Sequence, residues 1–241
     1  MNRERWLRRA QRANDAFGLV LVLVLTTYVL ASVLSNRGWS ATLLTLATGA
    51  TSVVALVSSH AKPVFVRRAL ALALLAIVLA AISAVSGGRH WLSAANFIEI
   101  ALLAVAMGAV LRRVVTADNV SSRTILGAIS VYASLGLLFT WAYGLIDRIE
   151  GGGFFGEAAH VEGSDFLFFS YTTLTTTGYG DLVPAGQVGR MASGLEMMLG
   201  QIFLVTLVAG LVSLWRPGEG LQRLRKRRGG GEPPAEAPAP R

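Results

Sequence analysis

Six apolar segments run through the chain, each about as long as the roughly 17–25 residues with which a helix crosses a bilayer. They lie at residues 16–34, 41–59, 69–85, 92–111, 125–146 and 189–215. Only 15% of the 241 residues are charged, whereas a soluble domain usually contains about 25%. Buried helices of a soluble protein are an improbable source of so many apolar runs. The segments therefore predict an all-α integral membrane protein with six transmembrane helices.

The basic residues alternate along the chain in a way that predicts its topology. Most of the 22 lysines and arginines lie before the first segment, in the second and fourth connections, and after the last segment. Because such residues concentrate on the cytoplasmic side of a membrane, both termini are predicted to be cytoplasmic in a multi-pass protein of the cell membrane. The net charge of +8 follows from this topology, and no nucleic-acid partner is expected.

The connection between the fifth and sixth segments contains an apolar run that is too short to cross a bilayer. This run, residues 166–174, follows Ser164-Asp165, which are helix-capping residues. The polar, glycine-containing stretch 175–181 comes directly after it. Taken alone, that stretch is compatible with a surface turn. Its position predicts a re-entrant helix followed by non-helical backbone, which at membrane depth must be buried in protein or line a water-filled cavity.

The chemistry of this stretch suits a dehydrated cation. Carbonyl groups from Thr176 to Tyr179 would replace the water shell of K⁺, and the Thr176 hydroxyl would add a further ring of oxygens. Gly178 and Gly180 supply positions where φ > 0 costs little. Tyr179 is predicted to point away from the axis and brace the loop against the short helix. One such stretch cannot close a pore, so a homotetramer is expected.

Residues 164–210 resemble the pore domain of potassium channels, in particular bacterial channels of the two-helix pore superfamily. The shared features are Thr172-Thr173, the motif Thr-x-Gly-Tyr-Gly-Asp at 176–181, Pro184, Gly189-Arg190 and Gly200. The resemblance implies a pore helix, a selectivity filter and an inner helix around a central pore. Before residue 114 the resemblance is one of segment count.

The resemblance assigns a role to each part of this domain. The selectivity filter would comprise Thr176, Thr177, Gly178, Tyr179 and Gly180, with K⁺ bound at the first four. Filter support would come from Asp181, Thr172 and Thr173, and Gly200 would be a gating hinge. By their spacing from this glycine, the residues predicted to line the cavity below the filter are Gln201, Leu204, Val208 and Val212.

Glu196 lies one helical turn before the predicted hinge. Its carboxyl group either faces the cavity and attracts cations, or sits behind the filter and bonds hydroxyls such as that of Thr172. The second position is favoured, which adds Glu196 to the predicted filter support.

The sequence departs from the family pattern at three positions around the filter. Thr177 stands where valine is usual. Phe168 and Phe169 replace aromatic residues that often include a tryptophan bonded to the filter aspartate. Asp181 is therefore predicted to lack that partner.

The four segments before the pore domain form a sensor-like domain without gating charges. A voltage sensor needs Arg or Lys about every third residue within the bilayer, and segment 92–111 has none. The predicted division is a basic N-terminus (1–15), this four-helix domain (16–114), the pore domain (115–216) and a tail (217–241). Glu99 in the fourth segment is either functional or, preferably, a structural residue paired with Asn96.

The tail begins with a basic run and continues as a Gly-, Pro- and Ala-rich segment predicted to be disordered. The run would either hold anionic lipid head groups or simply reflect topology. Its members are Arg223, Arg225, Lys226, Arg227 and Arg228.

These observations predict passive K⁺ conduction through a homotetramer that is not steeply voltage-gated. No enzymatic activity and no cofactor are expected, apart from K⁺ as the permeant ion. Two alternatives remain: a weakly selective cation channel, and a non-conducting membrane sensor or scaffold with a degenerate pore.

Overall fold

The computed structural model describes residues 17–34, 39–116, 122–156 and 161–214. All regular structure in these ranges is helical, which confirms the all-α fold class for the part of the chain described. The helices are α1 Phe17–Val33, α2 Ser40–Ser58, α3 Pro63–Ser86, α4 Arg89–Val115, α5 Ser122–Ile149, α6 Gly163–Leu174 and α7 Gln187–Leu214. The predicted basic N-terminus and the basic tail run, from Arg223 to Arg228, lie outside the described residues.

Five of the described helices, α2 to α5 and α7, are long and apolar enough to cross a membrane. Helix α1 is apolar but shorter, with 17 residues, and the residues before it are not among those described. Five such helices make this a membrane protein, while the sixth span stays a prediction.

Helix α3 begins at Pro63, earlier than the apolar segment that starts at residue 69. The proline occupies the first helical turn, where a missing N–H leaves no hydrogen bond unmade. Arg67 and Arg68 are exposed within the helix. Hydropathy therefore located the apolar part of the helix but missed its basic start. Long basic side chains are tolerated there, because their charged groups reach the lipid head groups while their stems stay in apolar surroundings.

Helices α1 to α4 form a bundle that packs directly against the predicted pore unit, which comprises α5, α6 and α7 of the same chain. Both α1 and α4 contact α5, and α1 also contacts α6. Small residues allow α3 to approach α2 closely: a Cβ on Gly49 would lie 3.1 Å from the Cβ of Ala73. The predicted sensor-like domain is thus a packed body beside the pore unit.

An aromatic cluster holds the short helix α6 against α5 and the loop that follows α5. Phe154 is 2% exposed, and its ring contacts those of Tyr143, Phe166 and Phe169. Positive φ angles at the glycines of residues 151–153 allow the tight reversal that inserts Phe154, since glycine adopts them without steric cost.

The start of α6 differs in detail from the prediction. Glu162, rather than Ser164, is the N-cap residue. The backbone N–H of Glu162 donates to Asp165 Oδ2 at 2.8 Å, as in a capping box. The helix therefore begins with an acidic side chain in its first turn, which suits the positive end of the helix dipole.

Candidate functional site

The stretch after α6 is attached to the C-terminal end of that helix. The carbonyl oxygen of Thr172 accepts the N–H groups of Thr177 at 2.8 Å and Gly178 at 3.1 Å, and the carbonyl of Thr173 accepts that of Thr176 at 3.0 Å. Carbonyls that normally lack a partner at a helix end are satisfied in this way. The predicted supporting residues Thr172 and Thr173 thus contact the stretch through their backbones.

Positive φ angles alternate along the stretch. They are 57° at Thr176, 50° at Gly178 and 82° at Gly180. The two glycine conformations were predicted and are confirmed. The threonine was not anticipated, because a residue with a Cβ pays about 1–2 kcal/mol in this region. Such strain is concentrated at functional sites, where the surrounding structure holds it.

Two threonine hydroxyls flank the strained position. Thr175 Oγ1 lies 2.9 Å from Thr177 Oγ1 and donates to the Tyr171 carbonyl at 2.7 Å. Thr177 stands where valine is usual. Its hydroxyl therefore has Thr175 Oγ1 as a hydrogen-bond partner.

Tyr179 braces the stretch against α6, as predicted. Its ring stacks on that of Phe168, with centroids 5.7 Å apart and an interplanar angle of 13°. Even so, Tyr179 is 70% exposed, and every side chain from residue 175 to residue 181 is exposed on the single chain.

Asp181 has no side-chain hydrogen bond to any residue in the described part of its own chain, and it is exposed. The two nearby phenylalanines are engaged elsewhere. Phe168 stacks on Tyr179, and Phe169 is buried beside Tyr143 and Phe154. Neither ring offers Asp181 a hydrogen-bond donor, and the loss of the tryptophan partner stays a prediction.

Glu196 joins three helices behind the filter stretch. Its side chain is 0% exposed. Tyr143 of α5 donates to Oε2 at 2.6 Å, and Ser170 Oγ of α6 lies 2.5 Å from Oε1. The carboxyl group therefore lies between helices and not on an open cavity surface. The predicted bonding partner, Thr172, is wrong: its hydroxyl donates to the Phe169 carbonyl, while Ser170 takes that place.

The number of protons available for the hydrogen bonds of Ser170 indicates whether Glu196 is charged. Ser170 Oγ also lies 2.8 Å from the carbonyl oxygen of Gly136, but a serine hydroxyl has one proton. When Glu196 is a neutral acid, it donates to Ser170, and Ser170 donates to Gly136. Every buried polar group in this network then has a partner, as such groups require.

Gly200 is packed against the end of α6. A Cβ at this position would lie 2.7 Å from Leu174 Cδ1 and 2.8 Å from the Leu174 carbonyl oxygen. The close approach of two helices requires a glycine here, which sequence reasoning missed because it considered only a hinge. Helix α7 continues without interruption through this residue, and the hinge role stays a prediction.

The residues predicted to line a cavity lie on the part of α7 that its own chain leaves open. Gln201, Leu204 and Val208 are exposed, whereas the Val212 side chain is outside the description. No contact within the described chain tests whether these residues line a cavity.

Glu99 is buried in α4 at 2% exposure and makes a side-chain hydrogen bond with Thr48 of α2. The predicted pairing with Asn96 is wrong. The Asn96 amide instead donates to the Leu92 carbonyl and accepts from Arg148 near the end of α5. Asn96 therefore connects the helix bundle to the pore unit.

A family model described as "Ion channel" matches residues 129–216. The match covers most of α5 and all of α6, the filter stretch and α7, a little over a third of the chain. A comparison with curated proteins found no match. The matched residues, carried on helices that can cross a membrane, are therefore similar to an ion-channel domain.

Proposed function

We propose that four copies of this chain form a potassium-selective channel in the cell membrane of a bacterium. Each chain would cross the membrane six times, with both termini in the cytoplasm. The observation that carries the proposal is the filter stretch: alternating positive φ angles at Thr176, Gly178 and Gly180, on a backbone attached to the end of a short helix. Such backbone presents carbonyl oxygens to a dehydrated ion.

The incomplete burial of the pore unit supports assembly. Only 17% of the apolar stretch of α7 is buried within its own chain, against 56% for α5. Large apolar side chains such as Met191, Leu195 and Ile202 are more than half exposed. Since one filter stretch cannot surround an ion, a homotetramer both covers α7 and completes the pore.

K⁺ would pass in single file through the filter. The filter would comprise Thr176, Thr177, Gly178, Tyr179 and Gly180, and the ion-binding oxygens would belong to the first four. Repulsion between neighbouring ions would help each ion to leave. Below the filter, the pore would widen into a cavity lined by Gln201, Leu204, Val208 and Val212.

The channel would conduct passively and without steep voltage dependence. Moving one charge through 100 mV is worth about 2.3 kcal/mol, yet α4 contains no lysine or arginine between Arg89 and Arg112. The helix bundle would therefore be shaped like a sensor but lack gating charges. The tail run from Arg223 to Arg228 would contact anionic lipid.

Ion flux from the purified protein in liposomes tests the proposal. We expect K⁺ flux that Ba²⁺ blocks, and bi-ionic reversal potentials that favour K⁺ strongly over Na⁺. Comparable Na⁺ and K⁺ permeability would establish the weakly selective alternative. Absence of flux at every voltage and pH tried would contradict conduction and favour a sensor or scaffold.

A further inference from the structure

A basic cavity of about 370 Å³ opens where α2 ends, α3 begins and α4 ends. None of the filter or supporting residues lines it. Four basic side chains contribute to its wall, and no acidic residue does among the described residues that line it: the four are His60, Lys62, Arg112 and Arg113. Three of these side chains, Lys62, Arg112 and Arg113, are cationic at neutral pH, so the cavity lining is basic.

The same cavity also has apolar lining residues. They include Leu56, Phe65 and Val105, and the last two are about half exposed, at 52% and 56%. Because α2, α3 and α4 are all long enough to cross a membrane, their shared ends lie at head-group depth. A charged recess beside an exposed apolar surface at this depth matches the two parts of a phospholipid.

The backbone at His60 gives a second, independent observation. The N–H of Ala61 donates to the Leu56 carbonyl and that of His60 to the Val57 carbonyl, both at 3.1 Å. This is the Schellman pattern that ends a helix, in which the left-handed residue is usually glycine. Here it is histidine, with φ of 57°.

A histidine in this position carries a conformational cost that glycine would avoid. Within the described residues, the only other non-glycine residue with positive φ is Thr176 of the filter. Topology or the helix dipole accounts for Arg112 and Arg113 at the end of α4. Neither accounts for a strained histidine whose side chain lines the same cavity.

We propose that this cavity binds the head group of an anionic phospholipid. The phosphate would accept hydrogen bonds from Lys62, Arg112 and Arg113, as phosphates do from such groups, and from the His60 imidazole. The acyl chains would lie along Phe65 and Val105. All of its lining residues lie between positions 56 and 116, and the proposal does not depend on conduction.

A local fluorescence measurement tests the site in the full-length chain. Because the sequence contains no cysteine, Ala104→Cys carries a single thiol-reactive fluorophore on an exposed position next to the cavity. Leu74→Cys, on α3 and 55% exposed, is the control at similar depth. In phosphatidylcholine nanodiscs, brominated phosphatidylglycerol should quench the label at 104 more than brominated phosphatidylcholine does. At 74 the two lipids should quench equally.

Two double variants that remove the same charge distinguish binding in the cavity from attraction of the lipid by the overall charge of the protein. Arg112→Gln with Arg113→Gln should lower the phosphatidylglycerol preference at 104 by about fivefold for each charge removed. Arg67→Gln with Arg68→Gln removes the same charge from α3 outside the cavity and should leave the preference unchanged. Equal quenching by both lipids at 104, or equal loss in the two double variants, would overturn the proposal.

His60→Gly tests the strained residue without endangering the fold. Glycine suits the left-handed position, so thermal stability should be equal to or higher than that of the wild type, while the phosphatidylglycerol preference falls. An unchanged preference would refute the contact with His60.

Inorganic phosphate should not compete with the lipid; competition would show that the cavity binds free phosphate rather than a head group.

Discussion

At the scale of single residues, the filter stretch depends on three alternating left-handed positions, at Thr176, Gly178 and Gly180. Two are glycines, for which the conformation is easy, and one is a threonine, for which it is not. The strained threonine is held by its own N–H, bonded to the Thr173 carbonyl, and by the neighbouring pair Thr175 and Thr177. Local hydrogen bonds thus stabilise a shape that intrinsic preference disfavours.

Gly178→Ala should abolish selective K⁺ flux. The new Cβ would have nothing within 4 Å in its own chain, so the damage is backbone strain of about 1–2 kcal/mol for each subunit. Gly151→Ala is the matched control, because Gly151 also has a positive φ, of 86°, and open space around it, but it lies outside the filter. Liposome flux should be lost in the first variant and kept in the second. Equal loss in both would show that strain anywhere in the loop suffices.

At the scale of elements, α6 is positioned by contacts on both sides. Tyr171 packs on Gly136 of α5, where a Cβ would lie 2.7 Å from its ring, and its hydroxyl donates to the Ala133 carbonyl at 2.6 Å. On the other side, Glu196 and Gly200 bring α7 against α6. A helix of only 12 residues is thereby fixed between α5 and α7.

Glu196→Gln should leave the protein close to wild type, because a neutral amide can accept from Tyr143 and donate to Ser170 as the acid does. Glu196→Ala should lower the free energy of unfolding by about 2–4 kcal/mol, since the buried Tyr143 hydroxyl loses its acceptor and Ser170 Oγ loses its donor. Thermal unfolding of the purified protein measures both. Met197→Ala, at a neighbouring residue that is 45% exposed, serves as control. Destabilisation by glutamine as large as that by alanine would contradict a neutral Glu196.

Gly200→Ala should destabilise the pore unit and reduce flux, because its Cβ would collide with Leu174. A glycine needed only for bending would behave differently: alanine would favour the helix by about 1 kcal/mol. Gly194→Ala is the control on the same helix, since a Cβ there meets nothing within 4 Å in its own chain. Thermal stability and flux should fall only at position 200. Raised stability there would point to a hinge without a packing role.

At the scale of the whole molecule, the chain has one well-packed side and one open side. The bundle of α1 to α4 covers α5 and part of α6, whereas α7 and the filter stretch remain exposed. The open side is where the proposed tetramer places its pore, so the outer bundle and the central conduction path belong to opposite faces of each subunit.

Val208→Cys tests the central cavity directly. Val208 is 50% exposed in the single chain, and in the proposed tetramer it faces water. A charged thiol reagent on the cytoplasmic side should therefore modify it and block K⁺ flux. Leu74→Cys, equally exposed but facing lipid, should react slowly and without effect on flux. The same low reactivity at both positions would contradict a water-filled cavity at Val208.

Much of the filter could be predicted from residue type alone. Glycine at positions 178 and 180 indicated positive φ, and Tyr179 next to an aromatic helix indicated the brace. Thr176 could not be predicted in the same way, because its conformation is imposed by hydrogen bonds against its own preference. The partner of Glu196 was misassigned for a related reason: Thr172 and Ser170 are both hydroxyl residues on α6, and only the rotation of that helix distinguishes them.

The amino-acid sequence by itself determined that this is a helical membrane protein, and it predicted one re-entrant segment and one cation-binding stretch. These properties depend on local composition and spacing, because apolar length and glycine position act on the residues around them. Only the tertiary structure decided what Glu196, Gly200 and His60 contact. Ser170 and Tyr143 lie 26 and 53 residues from Glu196 along the chain. Such distant residues meet through the angles and rotations of packed helices, which no local pattern records.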